Sequence, residues 1–294
     1  MKYTITDFRK DYSTENQCLD RLFQLKYGKL EACPSCGVVN AKFKRVPKRR
    51  SYWCTECNHQ LYPTAGTVFE KTTTPLTHWF YAIFLFTTTR NGVAAKELER
   101  QLGVTYKTAW RMAKQIRLLM SNQPVEMLKG EVMIDETFIG GQEKFKHRHK
   151  RSNVDGYMKR IPVFGMMEKG TNKMITRVMK VEEIKAAHLR PIITKSIDKD
   201  SIVVTDLFRG YMGLDKEFKQ HETINHAQEE YVSKNGFTTN NIEGFWSSLK
   251  RMIRGTHIHV SPKYLPLYVG ETSFRYMNKD KADTMFNLIL KKVS

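Results

Sequence analysis

Two groups of side chains in this sequence have types and spacing that could do chemistry: a doubled cysteine motif and a scattered set of carboxylates. Cys33 and Cys36 stand in CPSC, Cys54 and Cys57 in CTEC, with 17 residues between the pairs. A Cys-x-x-Cys turn aims two sulfurs at one point, and two such turns complete a tetrahedral shell, the pattern of a closed structural zinc site. The rival is a redox dithiol, which occurs once per domain beside a βαβ pattern that this sequence lacks. The carboxylates are Asp135 in EVMIDETFIGG, Asp206 in SIVVTD and Glu243 in TTNNIEGFWSSLKR. An aspartate inside an apolar run is costly to bury without a partner. Each could be a structural aspartate at a turn. Together they suggest a shared cation, because crowded carboxylates repel unless a metal neutralises them. Oxygen ligands without nearby His or Cys suit a hard ion, Mg²⁺ or Mn²⁺, and Glu243 is placed to supply the third carboxylate.

These residues need elements to position them. EVMIDETFIGG, IPVFGMMEKG and KMITRVMKV read as three strands close enough for an antiparallel meander. A helical stretch over 183–198 follows, with Pro191 expected in an early turn that tolerates it. Then come the strand SIVVTD, a helical stretch near FRGYMGLDKEF, a weak strand HETINH and a helix over NIEGFWSSLKRMI. The order β-β-β-α-β-α-β-α is that of an RNase H-like domain. Glu136 should point to the face opposite Asp135. Glu271 reads as an i,i+4 partner of Arg275, and Glu229 and Glu230 as loop residues.

Upstream, NGVAAKELERQLGVTYKTAWRMAKQIRLL carries Ala94, Leu98 and Leu102 at helical spacing, then a glycine turn. Thr105 is the expected N-cap of a second helix, with Ala109, Met112, Ala113 and Ile116 as its apolar stripe. Two short helices about a glycine are the signature of a helix-turn-helix, though many helical hairpins bind nothing. Its exposed candidates for DNA contact are Tyr106, Lys107 and Arg111. Between the cysteine pairs, AKFKRVPKRRSYW includes Lys48, Arg49 and Arg50, either a phosphate-contacting hairpin or a solvated turn. Cys18 is left over as a half-buried free thiol.

Charge bears on the partner. Lys and Arg number 49 against 30 Asp and Glu, a net +19 that favours a polyanion such as nucleic acid. Residues 1–125 hold 20 basic and 9 acidic side chains, and residues 126–294 hold 29 and 21, so the first part is the more basic per residue. The longest apolar run, WFYAIFLF, falls far short of the roughly 20 residues of a spanning helix and reads as a buried helix. The start, MKYTITDFRKDY, lacks a signal-peptide core. The expectation is a cytoplasmic protein with no membrane partner.

Over nearly its whole length the sequence resembles the zinc-ribbon DDE transposases of bacterial insertion sequences, the group related to eukaryotic Merlin elements. The likeness rests on CPSCG and YWCTEC, YKTAWRMAKQIR, MIDETFIGG, VVTDLFRGY and TNNIEGFWSSLKR. The resemblance implies a mixed α/β fold: an N-terminal helical segment (1–30), a zinc ribbon (31–66), a helix-turn-helix domain (67–124) and an RNase H-like catalytic domain (126–294). It implies Asp135, Asp206 and Glu243 as Mg²⁺ ligands for DNA cleavage and strand transfer, structural Zn²⁺ on Cys33, Cys36, Cys54 and Cys57, and an oligomer on double-stranded DNA in the nucleoid of a bacterium. The family's aromatic pair after the third acid is Phe245 and Trp246. Its basic residue seven positions on is Lys250, followed by Arg251; seven residues is nearly two helical turns, so Lys250 shares the face of Glu243. Relatives often carry His-Thr-Asn before that helix, where this sequence has Thr238, Thr239 and Asn240. The basic run KFKHRHKR, with His147 and His149, reads as a solvated or DNA-gripping loop. A DNA-binding regulator without cleavage and a nuclease without strand transfer are the alternative readings.

Overall fold

The computed structural model describes residues 3–122, 126–140, 160–225, 232–233 and 235–293. The run KFKHRHKR, with His147 and His149, lies outside them, as do Glu229 and Glu230. The chain divides into two compact units: residues up to Leu119 together with Asp280 onward, and Met120–Lys279.

The first unit opens with α1 (Ile5–Asp11) and α2 (Glu15–Tyr27), each started by a capping box, Thr4 with Asp7 and Thr14 with Gln17. Such boxes satisfy amide groups that a helix start leaves unpaired. A small antiparallel sheet follows in the order β1 (Phe43–Arg45), β2 (Tyr52–Cys54), β3 (Gln60–Leu61). The run WFYAIFLF forms the buried part of α3 (Leu76–Thr88), as its composition predicts. Next come α4 (Ala95–Leu102) and α5 (Tyr106–Ser121), separated by Gly103 in the left-handed region at φ 63°. Thr105 Oγ1 accepts from the amide of Thr108, and Ala109, Met112, Ala113 and Ile116 are buried, so the expected cap and stripe are present. In α4, Leu98 is buried; Ala94 is the N-cap, and Val93 just before it is buried. Cys18 is fully buried rather than half-buried. Its place on the inner face of α2 with Leu19 and Leu22 pushes its thiol up to about 12.

The last helix, α9 (Ala282–Lys291), packs on α3 and α2. Its Phe286 joins an aromatic cluster with Tyr3, Phe8, Tyr12 and Phe80. The stretch read as one segment, 126–294, is therefore divided at Asp280 between the two units.

The second unit is built on a five-stranded mixed sheet ordered β6-β5-β4-β7-β8. The strands β4 (Glu131–Ile139), β5 (Ile161–Glu168) and β6 (Met174–Val178) form the expected antiparallel meander; β7 (Ile202–Asp206) and β8 (Gln220–Ile224) add in parallel on the other side of β4. One face buries Val132, Ile134, Phe164 and Val203 against α6 (Ala186–Ser196), through Leu189 and Ile193. The other buries Met133, Val163, Met167 and Val204 against α7 (Asn240–Arg251) and α8 (Leu265–Met277). Two expectations need correction. Pro191 is the sixth residue of α6, beyond the first turn that accommodates proline without loss of a hydrogen bond. The stretch near FRGYMGLDKEF forms two short 3₁₀ turns, Arg209–Tyr211 and Leu214–Lys216, rather than a helix. Gly213, at φ 85°, breaks the helical path between them.

Candidate active site and metal centre

The four cysteine sulfurs lie within 4.8 Å of one another. Each pair forms a tight turn: the amide of Gly37 donates to the Cys33 carbonyl at 2.9 Å, and that of Asn58 to the Cys54 carbonyl at 3.0 Å. Gly37 and Asn58 both take positive φ, 73° and 60°, which lets the chain turn away beneath the sulfurs. The sulfur-only donor set fits zinc.

In the second unit, β4 and β7 run parallel in the register Met133↔Val204. Two residues further along, Asp135 comes level with Asp206 at the carboxyl ends of the paired segments. Met133 and Val204 face α7, and with the strand period of two Asp135 and Asp206 face it too. The indole Nε1 of Trp246, on α7, donates to Asp135 Oδ2 at 2.9 Å. Asp206 Oδ1 accepts from the Phe208 amide at 3.0 Å, a turn that fixes the carboxylate at the strand end. Burial pushes Asp135 up to about 7, with Glu136 and Asp206 adding repulsion. The site is an oxygen-donor pocket that disfavours its own negative charge and so fits a hard cation.

Glu243 lies one helical turn before Trp246, on the same helix, where its Oε1 accepts from Thr239 Oγ1 at 2.7 Å. Among the described residues, only the four cysteines bring three or more ligand atoms close enough to share one ion. The structure thus brings Asp135 and Asp206 together and sets Glu243 on the helix that caps them, turned toward Thr239.

A sequence reading could not find two further features. Glu136 points to the opposite face as expected, yet it is only partly exposed: the Tyr211 hydroxyl donates to its carboxylate, and partial burial raises its pKa. Gly165 is paired with Asp135 across β4 and β5. A Cβ there would meet the Trp246 ring at 2.8 Å and Ile242 Cδ1 at 3.4 Å. The missing side chain is what lets α7 lie close enough for Trp246 to reach Asp135.

Residues 127–277 match the model of the ISXO2-like transposase domain, and residues 13–60 that of the transposase zinc-ribbon domain. The chain belongs to the ISXO2-like transposase family. A protein of the transposable element ISH50 from Halobacterium salinarum is 28% identical over 279 residues, 90% of this chain and 92% of that protein. A transposase-like protein from Haemophilus influenzae is 33% identical over 100 residues, 34% of this chain and 79% of its own.

The remaining candidate residues of this family member fall into two groups. Tyr106, Lys107 and Arg111 are exposed on α5, as are Lys48 and Arg49 on the hairpin between the cysteine pairs and Arg251 at the end of α7. Lys250 is half-buried. Arg50 departs from expectation. Its guanidinium pairs with Glu15 at 2.7 Å and donates to the carbonyls of Thr72 and Thr74 at 2.8 and 3.2 Å. Those bonds tie the hairpin to α2 and the 72–74 turn and leave little of the side chain for a ligand. Glu271 and Arg275 form the expected pair at 2.6 Å, with Glu271 fully buried. No helix among the described residues is long and apolar enough to cross a membrane.

Proposed function

We propose that the protein is a DNA transposase of the DDE type, cutting DNA at Asp135, Asp206 and Glu243 and joining the freed end to a target. The observation that carries this reading is the placement of Asp135 and Asp206 on adjacent parallel strands under α7, in a chain of the transposase family. The strand order β6-β5-β4-β7-β8 supports an RNase H-like reading of the domain. In that reading residues 31–66 are the zinc ribbon, 67–124 a helix-turn-helix domain, and the two bind the element's ends as part of an oligomer. Tyr106, Lys107 and Arg111 would meet the major groove, with Lys48 and Arg49 on phosphates.

The protein's own residues supply position and charge. Trp246 fixes the orientation of one carboxylate of the pair, and the Phe208 amide fixes the other. Glu243 would exchange its bond to Thr239 for the shared ion. Mg²⁺ or Mn²⁺, when bound there, would stabilise the attacking and leaving oxygens of an in-line displacement at phosphorus. A cleavage assay on Asp206→Ala, run beside a binding assay on element-end DNA, tests this assignment. The expected result is loss of cleavage with binding retained. Loss of both would assign Asp206 to folding instead.

A further inference from the structure

The basic side of α7 continues past the carboxylates. From Arg251 the chain passes into a π-helical turn, Met252–His257. Ile242, Phe245, Trp246, Leu249, Met252 and Ile253 form the buried side of this continuous helix. The opposite side carries Ser247, Lys250, Arg251, Arg254 and Gly255, which line an open groove of about 580 Å³. Their spacing, i, i+3, i+4, i+7 and i+8, is that of one helix face. Glu243, four residues before Ser247, begins the same face.

Three cations therefore line one groove: Lys250, Arg251 and Arg254 form no ion pair among the described residues. Lys250 is half-buried, and both Arg254 and Arg160 are near enough to disfavour its charge, while Asp135 favours it. Like charges held together in this way are relieved by an anion. Gly255 leaves the far end open, since a Cβ built there would meet nothing within 4 Å. π-Turns are rare and recur at functional positions. Here the turn carries Arg254 onto the groove.

We propose that this groove seats backbone phosphates of a DNA strand leading away from the carboxylates, with Arg254 as a phosphate-binding residue alongside Lys250. The proposal rests on the transposase reading above. At about 1.5 Å per residue, Lys250 lies roughly 10 Å along the helix from Glu243, and Arg254 beyond it. That distance corresponds to a few nucleotides at about 3.4 Å per strand step.

The test uses the full chain and a labelled duplex carrying the DNA that flanks its gene. Affinity is measured from 50 to 200 mM salt for wild type, Arg254→Ala and Arg254→Lys, with cleavage measured alongside. Arg254 is exposed, so circular dichroism should show the same fold in all three. Loss of one phosphate contact should reduce the slope of log affinity against log salt by about 0.9. Over this fourfold range, Arg254→Ala should therefore lose roughly threefold less affinity than wild type, with Arg254→Lys close to wild type. An unchanged slope in Arg254→Ala, with wild type binding and cutting, would overturn the phosphate site and leave the transposase reading standing. A wild-type protein that neither binds nor cuts DNA would overturn both.

Discussion

At the scale of single residues, the central feature is a carboxyl group held where its charge is unwelcome. Asp135 is half-buried beside Glu136 and Asp206, and desolvation with their repulsion raises its pKa from 3.8 to about 7. Below pH 3.8 the group is protonated in both folded and unfolded chains. As pH rises through 7 the unfolded chain releases the proton first, so the folded state loses stability over this interval. Without divalent metal, Asp135→Asn should therefore be more stable than wild type at pH 8, by up to about 4 kcal/mol at ~1.4 kcal/mol per unit. The gap should narrow toward pH 5. Urea denaturation in a chelator at both pH values would measure it; equal stability at pH 8 would show that Asp135 is not strained by its neighbours. The aspartates were legible because each interrupts an apolar strand. The bond from Trp246 to Asp135 was not, because it joins residues 111 apart and depends on how α7 lies on the sheet.

At the scale of elements, close helix-on-sheet packing sets the site. Gly165 gives α7 its clearance, since a Cβ there would meet the Trp246 ring at 2.8 Å. Gly165→Val should push the indole off Asp135 and destabilise the unit by about 1–3 kcal/mol, the usual cost of overpacking. It should also lower cleavage more than DNA affinity. Thermal denaturation and paired binding and cleavage assays would check both effects; unchanged stability would mean that α7 shifts freely. Four of the five sheet strands could be read from their apolar runs and β8 only weakly from HETINH, and the α4–α5 pair from its glycine and its stripe. A strand glycine gives no such signal, because what matters is the side chain it lacks. The stretch after Asp206 was misread as helix because its apolar residues, Phe208, Tyr211 and Leu214, are spaced three apart, which suits 3₁₀ turns as well as a helix. Arg50 differs from its neighbours for a related reason: composition reveals a basic hairpin but not which of its cations bonds within the fold.

At the scale of the molecule, the order of the chain does not match the order of its units. Helix α9 completes the first unit, where Phe286 stacks among Tyr3, Phe8, Tyr12 and Phe80. Arg21 also donates to Asn287 there, at 3.2 Å. A chain ending at Lys279 should expose that aromatic cluster and unfold its first unit several degrees lower, read as an earlier transition by calorimetry. An unchanged transition would show that the helix is dispensable. This return of the chain had no sequence signal, because nothing local marks which core an amphipathic helix joins. The net charge of +19 was legible, and it agrees with a polyanionic partner. The most direct measurement incubates the wild-type protein with Mg²⁺ and an end-labelled duplex containing the DNA that flanks its gene, then maps the product ends. Metal-dependent nicks with 3′-hydroxyl ends are the predicted result; sequence-specific binding without nicks, in Mg²⁺ and Mn²⁺ alike, would contradict the account.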